Sequence, residues 1–209
     1  MPFTVIAISR AIGAGGEDLG SSVASALGFR YVDNEIINRA SELAGATVAE
    51  VSRVEARKGL MTRILENLAR ANAGAMPAAG VPDMAALYEN PTPIYEQLIV
   101  DVIRETAAEG NVVIVAHGAS IPLAGTQGLL RVLVTASKEI RGARVARTSG
   151  LTFERAEKQV EDSDRGRADY FRRFYNVDRE EATHYDLVVN TDIVSIDQAT
   201  QLILLLAKS

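Results

Sequence analysis

The 209-residue chain contains no cysteine, no tryptophan, two histidines, and four lysines against eighteen arginines. The absence of cysteine excludes disulfides and thiolate metal centres. His117 and His184 lie far apart and neither begins a zinc-binding spacing, so no metal ligand is assigned among the side chains. Long apolar runs are missing too. Nothing approaches the roughly 20 residues of a membrane span, and the run at 203–207 reads as a helix end. The first apolar run, 4–8, is too short for a signal peptide and has no basic residues ahead of it. The expectation is a cytoplasmic protein with no membrane partner. A net charge of −5 lacks the basic excess of a nucleic-acid binder.

What is present suits a folded domain. Hydrophobic residues make up 47% and charged residues 23%, and the length supports one core with an inserted subdomain. Charge is unevenly spread: residues 131–179 hold 12 Lys+Arg against 8 Asp+Glu. Arginine's planar fork suits phosphate recognition, although a solvated face of mixed charge has the same composition.

The chain is organised around its beginning. A β-branched run at 4–8 reads as a buried strand, and Gly13, Gly15 and Gly16 follow. Leu19, Val23, Ala26 and Leu27 then recur at helical spacing. Strand, glycine turn and helix start together gather backbone N–H groups and a positive dipole end into an anion site. The match to the P-loop pattern is partial: Gly16 stands where the lysine belongs, and Glu17 and Asp18 where the metal-binding hydroxyl belongs. The dinucleotide fingerprint fits at Gly13 and Gly15 but meets Asp18 at its third glycine. A tight turn with no ligand also remains open, as does a plain first-turn role for the two acids.

Further strands are expected at 30–32, 112–116, 130–135 and 186–190, all parallel, with the first strand central. Asp33 follows the second strand, where open α/β sheets place ligand-binding residues, and Asn34 caps a helix lined by Ile36, Ile37, Ala40 and Leu43. Residues 45–109 show no strand and read as a helical insert. Within it, 48–58 and 61–72 are helices, 73–82 is a loop, and a helix after Pro91 carries Ile94, Leu98, Val102 and Ile103. An insert of that length counts against a compact dinucleotide-binding unit. After the fourth strand, one helix carries Arg141, Arg144 and Arg147, a second spans 152–163, and a turn at 164–175 mixes arginines with aromatics. Asp178 with Glu181, and Ser195 with Gln198, have capping-box spacing. The final helix is expected to bury Ala199, Leu202 and Leu206.

Taken together, the segments 8–16, 31–33, 113–118, Asp164-Arg-Gly-Arg167 with Tyr170, Phe174 and Tyr175, and 185–191 resemble the cytidylate kinase-like family, a branch of the P-loop nucleoside monophosphate kinases. The resemblance implies a single domain over 1–209 with a five-stranded parallel sheet of the P-loop nucleoside triphosphate hydrolase type. Residues 45–109 would be the acceptor-binding insert and 160–176 a mobile lid. Gly13, Ala14, Gly15, Gly16, Glu17 and Asp18 would hold ATP with magnesium. Asp33, Arg39 and His117 would face a nucleotide or another small phosphorylated substrate, and Arg10, Arg141, Arg165 and Arg167 would stabilise the transferring group. Two departures stand out: the P-loop lysine is missing, with Arg10 as the nearby cation, and His117 replaces an arginine. The resemblance therefore implies ATP-dependent phosphoryl transfer to a cytidylate-like acceptor. A catalytically weak nucleotide-binding module is the alternative, and a homo-oligomer is left open.

Overall fold

The computed structural model describes residues 3–55 and 92–208. Strands β1 (Val5–Arg10), β2 (Arg30–Val32), β3 (Val112–Val115), β4 (Leu129–Thr135) and β5 (Leu187–Asn190) form one sheet of order β2-β3-β1-β4-β5. Every pairing is parallel. The expected strands are all present, with β1 in the centre.

Alternation along the strands feeds two cores. Val5, Ala7, Val112 and Ile114 face one side, against α2 (Glu35–Ala44) and α4 (Thr92–Ala108). Ile6, Ile8, Val113 and Val115 face the other, against α1 (Gly16–Leu27) and α7 (Ile196–Lys208). Helices on both faces leave no wet side, which is why the central strands read as continuous apolar runs. Helix α3 (Val48–Glu55) packs on α2 and α4, while α5 (Lys138–Ser149) packs on α6 (Phe153–Tyr175).

This order also separates two of the sequence readings. In a dinucleotide-binding sheet the second strand is the neighbour of the first. Here β3 lies between β1 and β2, so that alternative falls.

Several local expectations are corrected. The helix expected to end at 163 runs unbroken to Tyr175. Gly166 costs a helix about 1 kcal/mol, but the docked side chains on either side of it offset that cost. Asn34 sits at the N-cap of α2 without a capping hydrogen bond. Glu181 caps the short turn Ala182–His184 with His184 rather than with Asp178. Ser195 and Gln198 do form their reciprocal box, at 3.2 and 3.0 Å. Leu43, Ile94 and Leu202 are exposed, while Ile99 and Ile203 take the core positions. The expected helix at 61–72 and loop at 73–82 lie outside the described residues.

Candidate active site

Strand β1 ends at Arg10, and the chain turns through Gly13 (φ +76°) and Gly15 (φ +84°) into α1. Both angles are left-handed, where a side chain is strained. Space is closed as well: a Cβ on Gly13 would lie 2.8 Å from the Arg141 carbonyl oxygen, and one on Gly16 would lie 2.5 Å from Arg10 Cβ. The turn is thus tightly enclosed by its own protein on one side.

Its backbone groups divide by direction. The carbonyls of Gly13 and Ala14 accept hydrogen bonds from Arg144 Nη1 (3.2 Å) and Thr191 Oγ1 (2.9 Å). The Ala14 N–H donates to the Ala11 carbonyl at 3.1 Å. The N–H groups of Gly13 and Gly15 donate to no acceptor among the described residues. The first N–H groups of α1 are orphan donors by helix geometry. Together these form an electropositive backbone face.

Two cavities of about 400 Å³ each flank the turn, and Ile12 borders both. The first is bordered by Gly13, Gly15, Glu17, Asp18, Arg144 and Ile196. The second is bordered by Arg10, Asp33, His117, Arg167, Tyr170 and Phe171.

The second cavity is shaped by a strained turn after β3. Ala116, His117 and Gly118 take φ of +71°, +54° and +61° in succession. Left-handed backbone is costly for the first two, and such strain concentrates at functional sites. It turns the His117 carbonyl toward α6, where the hydroxyls of Tyr170 and Tyr175 donate to it at 2.8 and 2.7 Å. The buried His117 ring places Nε2 3.0 Å from the Asp33 carbonyl. A carbonyl only accepts, so Nε2 carries the proton. Tyr31 stands nearby with its pKa raised, first by burial and then by the charges of Asp33 and Glu17.

The predicted arginines part company. Arg10 pairs with Glu17, Nε to Oε1 2.7 Å. Arg167 donates to the Arg10 carbonyl (3.0 Å), to Ser9 Oγ (2.8 Å), and to both oxygens of Glu180. Arg141 is buried beneath the turn, clasped by Asp164. Arg165 is exposed and pairs with Asp162, and among the described residues Arg39 pairs with Glu42 alone. Neither borders either cavity. Sequence reasoning missed Thr191 and gave Arg144 no role. Arg144 had a signal, since it lies three residues from Arg141 on one helix, whereas Thr191 had none beyond its place after the last strand.

The donor set fits a nucleoside triphosphate: a backbone cradle, an adjoining cavity and arginines beyond it. For magnesium, no cluster of three or more metal-ligating side chains occurs among the described residues. A magnesium ion bound mainly through phosphates takes one or two protein carboxylates, and Asp18 borders the first cavity. No helix among the described residues is long and apolar enough to cross a membrane.

Fold and turn together define an α/β protein of the P-loop nucleoside triphosphate hydrolase type. Solved structures share it: a protein of Eubacterium ventriosum (TM-score 0.65, 16% identity, 98% of both chains) and shikimate kinase of Bacteroides thetaiotaomicron (0.55, 16%, 99% of both). At these identities the likeness is one of fold. The family model "Cytidylate kinase-like family" matches residues 5–193, and the chain belongs to that family. Among curated relatives, cytidylate kinase of Ignicoccus hospitalis is 24% identical over 201 residues, 96% of each chain. That of Pyrobaculum calidifontis is 27% identical over 107 residues, so the chain spans 58% of that relative's length.

Proposed function

We propose that this protein transfers the γ-phosphoryl group of ATP to a nucleoside monophosphate of the cytidylate type or to a similar small phosphorylated acceptor. The observation that carries this reading is the pair of cavities that share Ile12, the first bordered by Gly13 and Gly15 of the turn and the second by Arg10, Asp33 and His117. Family membership supports the class of chemistry.

In this reading the first cavity takes the donor and the second the acceptor. An oxygen of the acceptor attacks the γ-phosphorus in line, and the bond to the β–γ bridging oxygen breaks. Asp18 and the donor phosphates would hold magnesium, which would supply neutralisation of phosphate charge. The N–H groups of Gly13, Gly15 and the start of α1 orient the donor phosphates. Arg10 and Arg167, at the wall of the second cavity, meet the acceptor phosphate and the charge spreading over the transferring group. Asp33 and His117 shape the acceptor floor.

A second reading, a nucleotide-binding module with little catalysis, draws on one observation. Arg10, Arg141 and Arg167 each hold a carboxylate, namely Glu17, Asp164 and Glu180. With the P-loop lysine missing as well, the cationic charge at the turn is largely neutralised. Thermal-shift screening of nucleotide pairs, followed by a coupled kinase assay of each stabilising pair, separates the two. Turnover with ATP and a pyrimidine monophosphate supports phosphoryl transfer, and stabilisation without turnover supports the binding module.

A further inference from the structure

The turn's donors face outward because its acceptors are held from behind. In a trans peptide the C=O of one residue points opposite to the N–H of the next. The Ala14 carbonyl is therefore the rear of the Gly15 N–H, and the Ile12 carbonyl the rear of the Gly13 N–H. Thr191 Oγ1 donates to the Ala14 carbonyl at 2.9 Å, and Arg141 Nη1 makes a longer contact of 3.5 Å to the Ile12 carbonyl. Two of the three peptides held from the rear are those whose N–H groups find no acceptor among the described residues; the third, Gly13–Ala14, turns its N–H to the Ala11 carbonyl.

Thr191 is itself held. Arg144 donates to Thr191 Oγ1 at 2.9 Å through Nη1 and to the Thr191 carbonyl at 2.6 Å through Nη2. A hydroxyl has one proton and two lone pairs, so a proton given to Ala14 leaves a lone pair for Arg144. The Thr135 carbonyl, at 3.3 Å, is the more distant competitor for that proton. A chain results: guanidinium to hydroxyl to carbonyl, with the peptide dipole emerging at the Gly15 N–H. Hydrogen-bonded chains polarise one another in a low dielectric, and Thr191 is only 2% exposed. Nη1 of the same guanidinium reaches the Gly13 carbonyl at 3.2 Å.

We propose that Thr191 and Arg144 are positioning residues of the phosphate-binding turn: they aim its N–H groups and deliver cationic charge through the peptide, in place of the lysine that the turn lacks. The proposal rests on the donor-site reading above. The test is titration calorimetry of the full chain and its Thr191→Val, Thr191→Ser and Arg144→Lys variants with ATP and with inorganic tripolyphosphate, alongside melting temperatures. Thr191→Val keeps the shape and removes the hydroxyl, and affinity for both ligands is expected to fall roughly ten- to a hundred-fold. Thr191→Ser restores the hydroxyl and is expected to recover most of that loss. Arg144→Lys keeps the charge but loses the fork, and it shows the same direction of change should Thr191→Val not fold. A purely structural role predicts lowered melting temperatures with unchanged dissociation constants, and that result in the folded variants overturns the proposal. A wild-type chain that binds neither ATP nor tripolyphosphate overturns the donor-site reading and this proposal with it.

Discussion

Asp164 holds Arg141 through both carboxylate oxygens, 2.8 and 2.7 Å from the two terminal guanidinium nitrogens. The arginine side chain is 8% exposed and the aspartate 42%, so the carboxylate approaches from the solvent side. A phosphate meets a guanidinium with the same two-point geometry. Asp164 therefore competes with any phosphate that Arg141 is to receive. Asp164→Asn is expected to lower thermal stability by the loss of a charge-assisted pair, on the order of 1–3 kcal/mol, and to raise tripolyphosphate affinity. Calorimetric melting and binding on one sample measure both. A loss of stability with no gain in affinity would assign the pair to structure alone.

The aliphatic stem of Arg10 lies against Gly16, and its guanidinium reaches Glu17, which borders the first cavity, while Arg10 itself borders the second. Arg10→Ala is therefore expected to weaken a pyrimidine monophosphate more than ATP. The expected loss is roughly ten- to a hundred-fold for the monophosphate, the worth of one charge-assisted contact. Calorimetry with each ligand checks the split. Equal dissociation constants with a reduced melting temperature would make the Glu17 pair a structural strut.

The edge pair Arg131–Asp186 gives a pH dependence with a definite sign. A side-chain hydrogen bond from Arg131 holds the Asp186 carboxyl below its ordinary range, partly opposed by burial. The folded protein therefore binds that proton less readily than the unfolded chain, whose aspartates titrate near 3.9. The pair's contribution is fully present above about pH 4 and disappears as pH falls through the lower, folded value. Asp186→Asn is expected to be less stable than wild type at pH 7 and to converge with it in strong acid. Urea unfolding at pH 7, 4 and 3 tests this, and a constant gap at all three would refute it.

Gly20 offers a control for packing beneath the turn. It lies on the buried side of α1, and a Cβ there would sit 2.5 Å from Val115 Cγ2. Helix propensity alone favours Ala over Gly by about 1 kcal/mol. Overpacking in a rigid core costs about 1–3 kcal/mol and is expected to win. A Gly20→Ala variant that melts higher than wild type would show that the strand yields.

The sheet was legible because its strands are short, apolar and spaced by helices, and a parallel sheet buried on both faces admits no other pattern. The glycine turn was legible because left-handed angles leave a composition trace. The backing of that turn was not. Thr191 lies 177 residues from Ala14, and nothing local distinguishes it from any threonine after a strand. Helix α6 was misread for the converse reason: Gly166 and the aromatics signal a turn locally, while the contacts that keep the helix straight come from β1 and His117, far along the chain. Nor does arginine-rich composition show which charges are paired: within residues 160–176, Arg165 and Arg167 meet acidic partners, and Asp164 is the partner of Arg141.

The last prediction concerns how that segment is held. One carbonyl, that of His117, accepts the hydroxyls of both Tyr170 and Tyr175. The two rings lie edge to face, 5.7 Å between centroids, and a Cβ on Gly118 would fall 2.6 Å from Tyr175 Cε2. Hydroxyls and ring packing thus act at one spot, and they are separable. A carbonyl has two lone pairs, so Tyr175→Phe leaves it satisfied by Tyr170, and the cost should stay near the 0.5–1.5 kcal/mol of a single hydrogen bond. The double change Tyr170→Phe with Tyr175→Phe leaves the carbonyl without either donor and keeps the rings. Hydrogen exchange across 160–175 is then expected to quicken by more than the two single variants add up to, while the central strands β1 and β4 keep their protection. Unchanged exchange in the double variant would mean that aromatic packing and Arg167 hold the segment, and that the strained His117 carbonyl serves the cavity floor instead.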